Sequence, residues 1–187
     1  MQVINDFKTS VIKALEEIDP KWESYPGLIV AGSHSLTELQ PLDQITEARL
    51  SGRPFLGICM GMQLAVMEYL RNVGGIPDAT SQEFQPDSPN AVIVKMPEIR
   101  VGIRKISSWM GISFESHWHK YEVSAAANEM LLQDFLCYGS DDDVLSAIVH
   151  KNHPYFKAVQ FHPEYQSSKD KPHRILKEFL EVCKNLK

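Results

Sequence analysis

The stretch that decides the fold is Pro54-Phe55-Leu56-Gly57-Ile58-Cys59-Met60-Gly61-Met62. An unbroken apolar run leads into a glycine-flanked cysteine, and apolar residues at helical spacing follow over residues 62–73. This order predicts a strand buried on both faces, a sharp turn and a helix, which Gly74-Gly75 ends. A strand-to-helix turn of this form lifts its central side chain out of the sheet, so Cys59 is a candidate nucleophile.

The same alternation of strand and helix extends through the first half of the chain. Apolar residues over 11–18 recur at helical spacing up to Pro20, residues 28–31 form a short apolar run, and residues 42–50 have helical character. This pattern predicts an α/β fold with an open, mainly parallel central sheet and helices on both faces. Because only residues 1–4 precede the first helix, we expect the N-terminal strand to be short or missing.

The second half has a different composition. Residues 79–97 contain three prolines and suggest a loop, and residues 175–186 predict a closing amphipathic helix. Between them lie five short β-type segments, at residues 102–106, 111–116, 121–124, 144–149 and 158–161. No linker or internal repeat is visible, so we expect a single domain over residues 1–187.

Composition excludes several classes of function. The formal net charge of −5 provides no basic field for a phosphate backbone, so we expect no nucleic-acid partner. No run of 18 apolar residues and no leader-like N-terminus occurs, which predicts a cytoplasmic protein without a membrane partner. The three widely spaced cysteines, Cys59, Cys137 and Cys183, suggest neither a disulfide framework nor a structural zinc site.

A base and a carboxylate follow the apolar segment at residues 158–161. His162-Pro163-Glu164 places an imidazole and a carboxylate where open sheets place their sites. His162 can take the thiol proton of Cys59, Glu164 can orient the imidazole, and the Met60 N–H can stabilise an oxyanion. Taken separately, the cysteine could be inert in a tight turn and Glu164 could be solvated; together they fit one Cys-His-Glu triad.

The chain resembles the class-I glutamine amidotransferases, and within them the C-terminal glutaminase domain of the CTP synthases. The resemblance lies in residues 54–66, 68–73, 81–84, 92–98, 117–123 and 153–164. It implies hydrolysis of L-glutamine or a related amide through a thioester on Cys59, with ammonia passed to a separate synthetase subunit. It also implies that His162 is the base and Glu164 its orienting group, and it implies no cofactor.

The resemblance further implies a substrate-binding set. Gln63 and Glu83 match residues that hold the amino-acid end of glutamine, and Glu83 suits an ammonium group. The family's glycine-rich oxyanion loop is replaced here by Ala31-Gly32-Ser33-His34-Ser35. Gly32 would then lie beside the substrate, and the Ser33 N–H can still donate to the oxyanion. Lys120 stands where the family has an arginine, so the charge remains but the bidentate contact is lost.

Other departures bear on activity. Residues 98–111 are shorter than in the family and lack its glycine-rich lid, and no phosphate-binding loop occurs, so the chain alone is not expected to form CTP. Two alternatives therefore remain open: a γ-glutamyl hydrolase acting on another amide, and a degenerate, non-catalytic binding or regulatory module.

No metal site is expected. His117 and His119 would share a face of an extended segment, and His150 and His153 are also tempting as ligands, but no evident cysteine or carboxylate completes a set. The run of aspartates at residues 141–143 predicts a solvated turn.

Overall fold

The structure, a computed structural model, describes residues 1–33, 41–140 and 142–186. Its helices and strands follow one another along the chain as β1 (Gln2–Ile4), α1 (Lys8–Ile18), β2 (Leu28–Val30), α2 (Pro41–Ser51), β3 (Phe55–Ile58), α3 (Met60–Asn72), β4 (Thr80–Ser81), β5 (Ala91–Ser108), β6 (Gly111–Val123), α4 (Ala125–Leu131), β7 (Phe135–Gly139), β8 (Leu145–His150), β9 (Phe156–Val159) and α5 (Arg174–Asn185).

The central sheet has the order β1-β2-β3-β9-β8-β7. The first four strands are parallel, and β8 and β7 are antiparallel to their neighbours. The expected short first strand is confirmed as three residues paired with β2. The apolar runs of β2 and β3 are buried on both sides, as their unbroken hydrophobic sequences require.

Helices cover both faces of this sheet, which confirms the expected α/β architecture. Leu28 and Phe55 pack in the core shared with α2, α3 and α4, whereas Ile29 and Leu56 face α1 and α5. Successive side chains of a strand point to opposite faces, so each buried strand contributes to both cores. Each such side chain stabilises the fold by roughly 1.5–3 kcal/mol relative to exposure. The sheet is thereby held rigidly between two helical layers.

A long antiparallel hairpin, β5 with β6, was not expected. Residues 91–97 form part of β5 rather than a loop. Three separate short strands were expected at 102–106, 111–116 and 121–124, and these bounds are wrong because the residues belong to the two long strands β5 and β6. The pairing shifts register between Lys95 and Arg100, which accommodates Pro97 within β5. Backbone pairing then continues through the polar residues of both strands.

The hairpin has an inner face and an outer face. Inward-pointing residues such as Ile106, Glu115 and His117 are buried. Six apolar side chains remain exposed on the other side, and we call them the outer apolar face: Ile99, Val101, Ile103, Ile112, Phe114 and Trp118. Exposed apolar groups of this extent are typical of surfaces that contact another molecule.

Smaller differences concern the bounds of the elements. The strand expected at residues 158–161 begins two residues earlier as Phe156–Val159, and α4 and β7 were not predicted. Within the described residues, no helix combines the length and the apolar character needed to cross a membrane.

Candidate functional site

The turn after β3 holds Cys59 in an unusual backbone conformation, with φ 54° and ψ −108°. A non-glycine residue at such a φ costs on the order of 1–3 kcal/mol and persists only where the surroundings enforce it. Here the surroundings are very close. A Cβ on Gly61 would lie 1.9 Å from the Val30 carbonyl oxygen, and one on Gly57 would lie 2.7 Å from the Gly61 oxygen. The two glycines allow the turn to press against β2, and α3 begins directly at Met60.

His162 reaches the same place from β9. Because β9 pairs in parallel with β3, with Ile58 opposite Val159, the two strand ends lie side by side. The His162 Nδ1 is 2.8 Å from the Glu164 Oε1, and both side chains are buried. The Tyr165 ring stacks on the imidazole, with centroids 4.6 Å apart and planes at 8°. The ring is therefore fixed, with Nδ1 on the carboxylate and Nε2 left for the thiol.

The electrostatics favour a charged imidazole. Burial by itself lowers the pKa of His162, but hydrogen bonds to Cys59 and Glu164 and the negative charge of both groups outweigh it and raise this pKa to about 10. At neutral pH the His162 imidazole is therefore protonated, and it lies between Cys59 and Glu164. By contrast, burial raises the pKa of the Cys137 thiol to about 11 and that of Cys183 to about 12, which keeps both protonated.

Cys59 and His162 open onto a cavity of about 440 Å³. Seven of the predicted catalytic, oxyanion and substrate-binding residues line this cavity: Ser33, Cys59, Met60, Gln63, Glu83, Lys120 and His162. Glu164 lies behind the imidazole, on the side away from the thiol. The remaining wall is largely aromatic and aliphatic, and it is formed by Phe7, Ile99, Trp118, His119, Tyr121 and Tyr165.

Two polar side chains in this cavity have defined environments. Burial raises the pKa of the Glu83 carboxyl. A substrate ammonium group beside it would lower this pKa again, because a nearby positive charge favours the carboxylate. The Gln63 amide nitrogen donates to the Tyr121 carbonyl and to the Gln160 Oε1, both at 3.2 Å. Since these two bonds use both amide hydrogens, Gln63 can offer a bound molecule only its oxygen.

The segment after β2 approaches the thiol closely. A Cβ on Gly32 would lie 3.3 Å from the His162 Cε1 and 3.6 Å from the Cys59 Cβ. Next to it, the Ser33 hydroxyl donates to Asp6 at 2.7 Å and is buried. Gly32 and Ser33 therefore lie beside the nucleophile candidate, whereas His34 and Ser35 lie outside the described residues.

Sequence reasoning missed two residues of this site. Gln160 is fully buried, and its Nε2 is 3.8 Å from the Cys59 sulfur. Tyr165 covers the imidazole. A usable signal for Gln160 was a polar residue at the end of an otherwise apolar strand, because such a residue needs buried partners. No comparable signal marks Tyr165.

The histidines form contacts with one another and with the backbone. His117 Nδ1 and His119 Nε2 are 3.1 Å apart, and His119 Nδ1 lies 2.9 Å from the Tyr121 oxygen. Burial, followed by neighbouring positive charge, lowers the pKa of His117 to about 3, and burial chiefly lowers that of His119 to about 4. Among the residues that the structure describes, no group of three or more His, Cys, Asp or Glu side chains could hold a metal.

Of the aspartates at residues 141–143, Asp141 lies outside the described residues, and Asp142 has a structural role that the sequence did not indicate. Asp142 is not simply solvated, because its carboxylate pairs with the buried Arg100 guanidinium. That hydrogen bond holds the pKa of Asp142 well below its usual range. The pair anchors the turn before β8 to the inner face of the hairpin.

Comparisons with known proteins agree with the fold. The model of the family described as glutamine amidotransferase class-I matches residues 4–182. The CTP synthase of Caldanaerobacter subterraneus subsp. tengcongensis is 32% identical over 91% of this chain and 36% of its own length. Human CTP synthase 2 is 36% identical over 78% of this chain and 29% of its own length.

The chain thus spans about a third of these relatives. The glutaminase domain of the Trypanosoma brucei CTPS, solved with bound acivicin, shares the fold with a TM-score of 0.83 and 23% identity, over 99% of this chain and 94% of that one. The match of the family model over nearly the whole chain shows that this protein belongs to the class-I glutamine amidotransferases.

Proposed function

We propose that this protein hydrolyses the side-chain amide of L-glutamine, or of a closely related γ-glutamyl amide, through a thioester on Cys59. The observation that carries the proposal is the convergence of Cys59, His162 and Glu164 on one cavity that also holds Glu83 and Lys120. A nucleophile, a base with its orienting carboxylate, and two opposite charges for an amino-acid head group are the parts this reaction needs.

The chemistry follows from the arrangement of these groups. The Cys59 thiolate attacks the amide carbon, and the oxyanion that forms lies near the backbone N–H groups of Met60 and Ser33. The His162 imidazolium then gives its Nε2 proton to the amide nitrogen, so that the C–N bond breaks and ammonia leaves. Water attacks the resulting thioester as His162 takes a proton from it, which releases glutamate and restores the thiolate. Glu164 keeps the imidazole in the required orientation throughout.

The other end of the substrate is held by charge. Glu83 pairs with the α-ammonium group, and the oxygen of Gln63 accepts a further hydrogen bond from the same group. Lys120 attracts the α-carboxylate as a point charge, without the two parallel hydrogen bonds that an arginine would make. We therefore expect weaker binding of free glutamine than an arginine at this position would give.

We further propose that the ammonia passes to a separate synthetase subunit in the cytoplasm. Ile99 and Trp118 belong both to the outer apolar face and to the rim of the cavity. A partner seated on that face would thus cover the exit from the site.

Selective labelling of Cys59 tests the proposal. A chloroketone analogue of glutamine is expected to modify Cys59 at pH 7.5 while Cys137 and Cys183 stay unmodified, because burial raises the pKa of both other thiols. Peptide mass spectrometry identifies the modified residue, and ammonia release from glutamine is measured in parallel.

Cys59→Ala should abolish both labelling and ammonia release, whereas Cys137→Ala should preserve them. Labelling of Cys137 or Cys183 in preference to Cys59 would overturn the assignment of the nucleophile. Labelling of Cys59 without hydrolysis of any γ-glutamyl amide would instead favour the non-catalytic binding module.

The pH dependence provides a second test, because His162 acts in its protonated form during ammonia release. Its pKa of about 10 predicts a kcat/KM for glutamine that falls with a midpoint near pH 10. Glu164→Gln removes the negative charge beside the ring and lowers the His162 pKa, so the midpoint should move down by about one unit or more. A full pH–rate profile of both proteins measures this shift, and identical midpoints would contradict the proposed role of Glu164.

A further inference from the structure

We propose that the Gln160 side chain stabilises the thiolate form of Cys59 by donating an amide hydrogen bond to its sulfur. This inference rests on the proposed role of Cys59 as nucleophile. Gln160 is fully buried at the end of β9, two residues before His162, and its Nε2 lies 3.8 Å from the Cys59 sulfur. Among the described residues its amide contacts the Cys59 sulfur and the Gln63 amide, and a buried amide needs such specific partners.

The hydrogen-bond network fixes which end of the Gln160 amide faces the sulfur. The Tyr121 carbonyl can only accept, so the Gln63 group facing it at 3.2 Å must be the NH₂. The same NH₂ lies 3.2 Å from the Gln160 amide, so the Gln160 atom there must be the oxygen. The Gln160 NH₂ is then the group left to face Cys59. The Tyr121 carbonyl of the hairpin thus determines, through Gln63, which end of the Gln160 amide faces Cys59.

Two neighbours of the Cys59 sulfur favour opposite protonation states. The Trp118 carbonyl oxygen, at 3.8 Å, can accept from an S–H group and therefore suits the neutral thiol. The Gln160 NH₂ at the same distance can only donate, and a hydrogen bond to an anion is stronger than one to a neutral acceptor. Removing the amide would take away one of the two donors that face the sulfur, the other being His162, so the thiol form would gain.

The charged and titratable groups near the sulfur do not change in this test. His162 is hydrogen-bonded to Cys59, Tyr165 stacks on His162, and Glu83, His119 and Lys120 line the same cavity. None of them is hydrogen-bonded to the Gln160 side chain in the described structure, whose amide contacts Gln63 and Cys59. A substitution at Gln160 therefore isolates the amide.

The experiment is the pH dependence of Cys59 alkylation by iodoacetamide, which requires no glutaminase activity. In Gln160→Met, a variant of similar side-chain length without a donor, the pH midpoint of the alkylation rate is expected to move up by about 0.5–1 unit, as the loss of one hydrogen bond implies. Gln160→Leu also removes the donor and adds no charge, so its midpoint should rise as well. Gln166→Met is the control, because Gln166 is exposed and bonds only to Ser116 and Phe114 backbone.

Upward shifts in the Gln160 variants, with a wild-type midpoint in Gln166→Met, support the proposal. A wild-type midpoint in either folded Gln160 variant overturns it, even if thermal stability has fallen. Should both variants fail to fold, ¹⁵N NMR of the wild-type chain decides: the Gln160 side-chain NH₂ signal should titrate with the thiol and shift on alkylation, and a constant signal overturns the proposal. A chain that alkylates as described but hydrolyses no amide would refute the proposed function and leave this inference standing.

Discussion

His162→Ala is expected to lower the turnover number for glutamine by on the order of 100-fold or more at neutral pH, because general acid–base help typically contributes that much. The imidazole has two tasks in the proposed reaction: it stabilises the Cys59 thiolate and protonates the departing ammonia. It is not among the groups proposed to hold the amino-acid head, so KM should change far less than kcat.

Steady-state kinetics of ammonia release measure both constants. The matched control is His150→Ala, since His150 is a half-buried histidine that lies at the end of β8 and outside the cavity. Its kcat should stay within about twofold of wild type. A His162→Ala protein with wild-type turnover would refute the acid–base role and would point to a different mechanism.

Gly61→Ala is expected to lower the free energy of unfolding by about 3 kcal/mol or more, the upper part of the range for overpacking in a close-packed interior. The added Cβ would lie 1.9 Å from the Val30 oxygen and 2.8 Å from the Val30 carbonyl carbon. Both atoms belong to the backbone of β2, so no side-chain rotation relieves the clash. α3 must move away from the sheet, and the turn that holds Cys59 moves with it.

Urea denaturation followed by circular dichroism gives the free energy of unfolding for each protein. Gly139→Ala is the control, because its Cβ would meet only the Val144 oxygen, at 3.7 Å, and its φ is ordinary. That substitution should change stability by no more than about 0.5 kcal/mol, as is usual away from the special cases. Equal stabilities of the two variants would show that the turn tolerates a side chain at position 61.

The sequence allowed the centre of the fold to be predicted because its determinants are local. The apolar run before Cys59 and the helix after it are decided within some twenty residues, and so are the short first strand and the covering of the sheet on both faces. The adjacency of Cys59 and His162 followed from a general rule, since strand ends in an open sheet meet at one edge.

The hairpin was less predictable because its determinants are distant. Its inner face buries Glu115, which bonds to the distant His173, and His117, which bonds to His119 on the same strand, so the usual alternation of apolar and polar residues is inverted. Pro97 added a misleading loop signal, although the register shift between Lys95 and Arg100 accommodates it. The partner of Gln160 was likewise invisible, because Gln160 and Cys59 are 101 residues apart.

The two faces of β6 have separate consequences for how the protein can change over evolution. The inward residues His117 and His119 are hydrogen-bonded to each other, and His119 lines the cavity, so a substitution there alters the site. Outward residues such as Ile112 and Phe114 are 69% and 62% exposed and outside the cavity. Substitutions can therefore change the outer surface, and with it the binding of the proposed partner, without altering the proposed reacting groups. Within the one strand β6, the outward side chains can therefore change independently of the inward side chains beside the site.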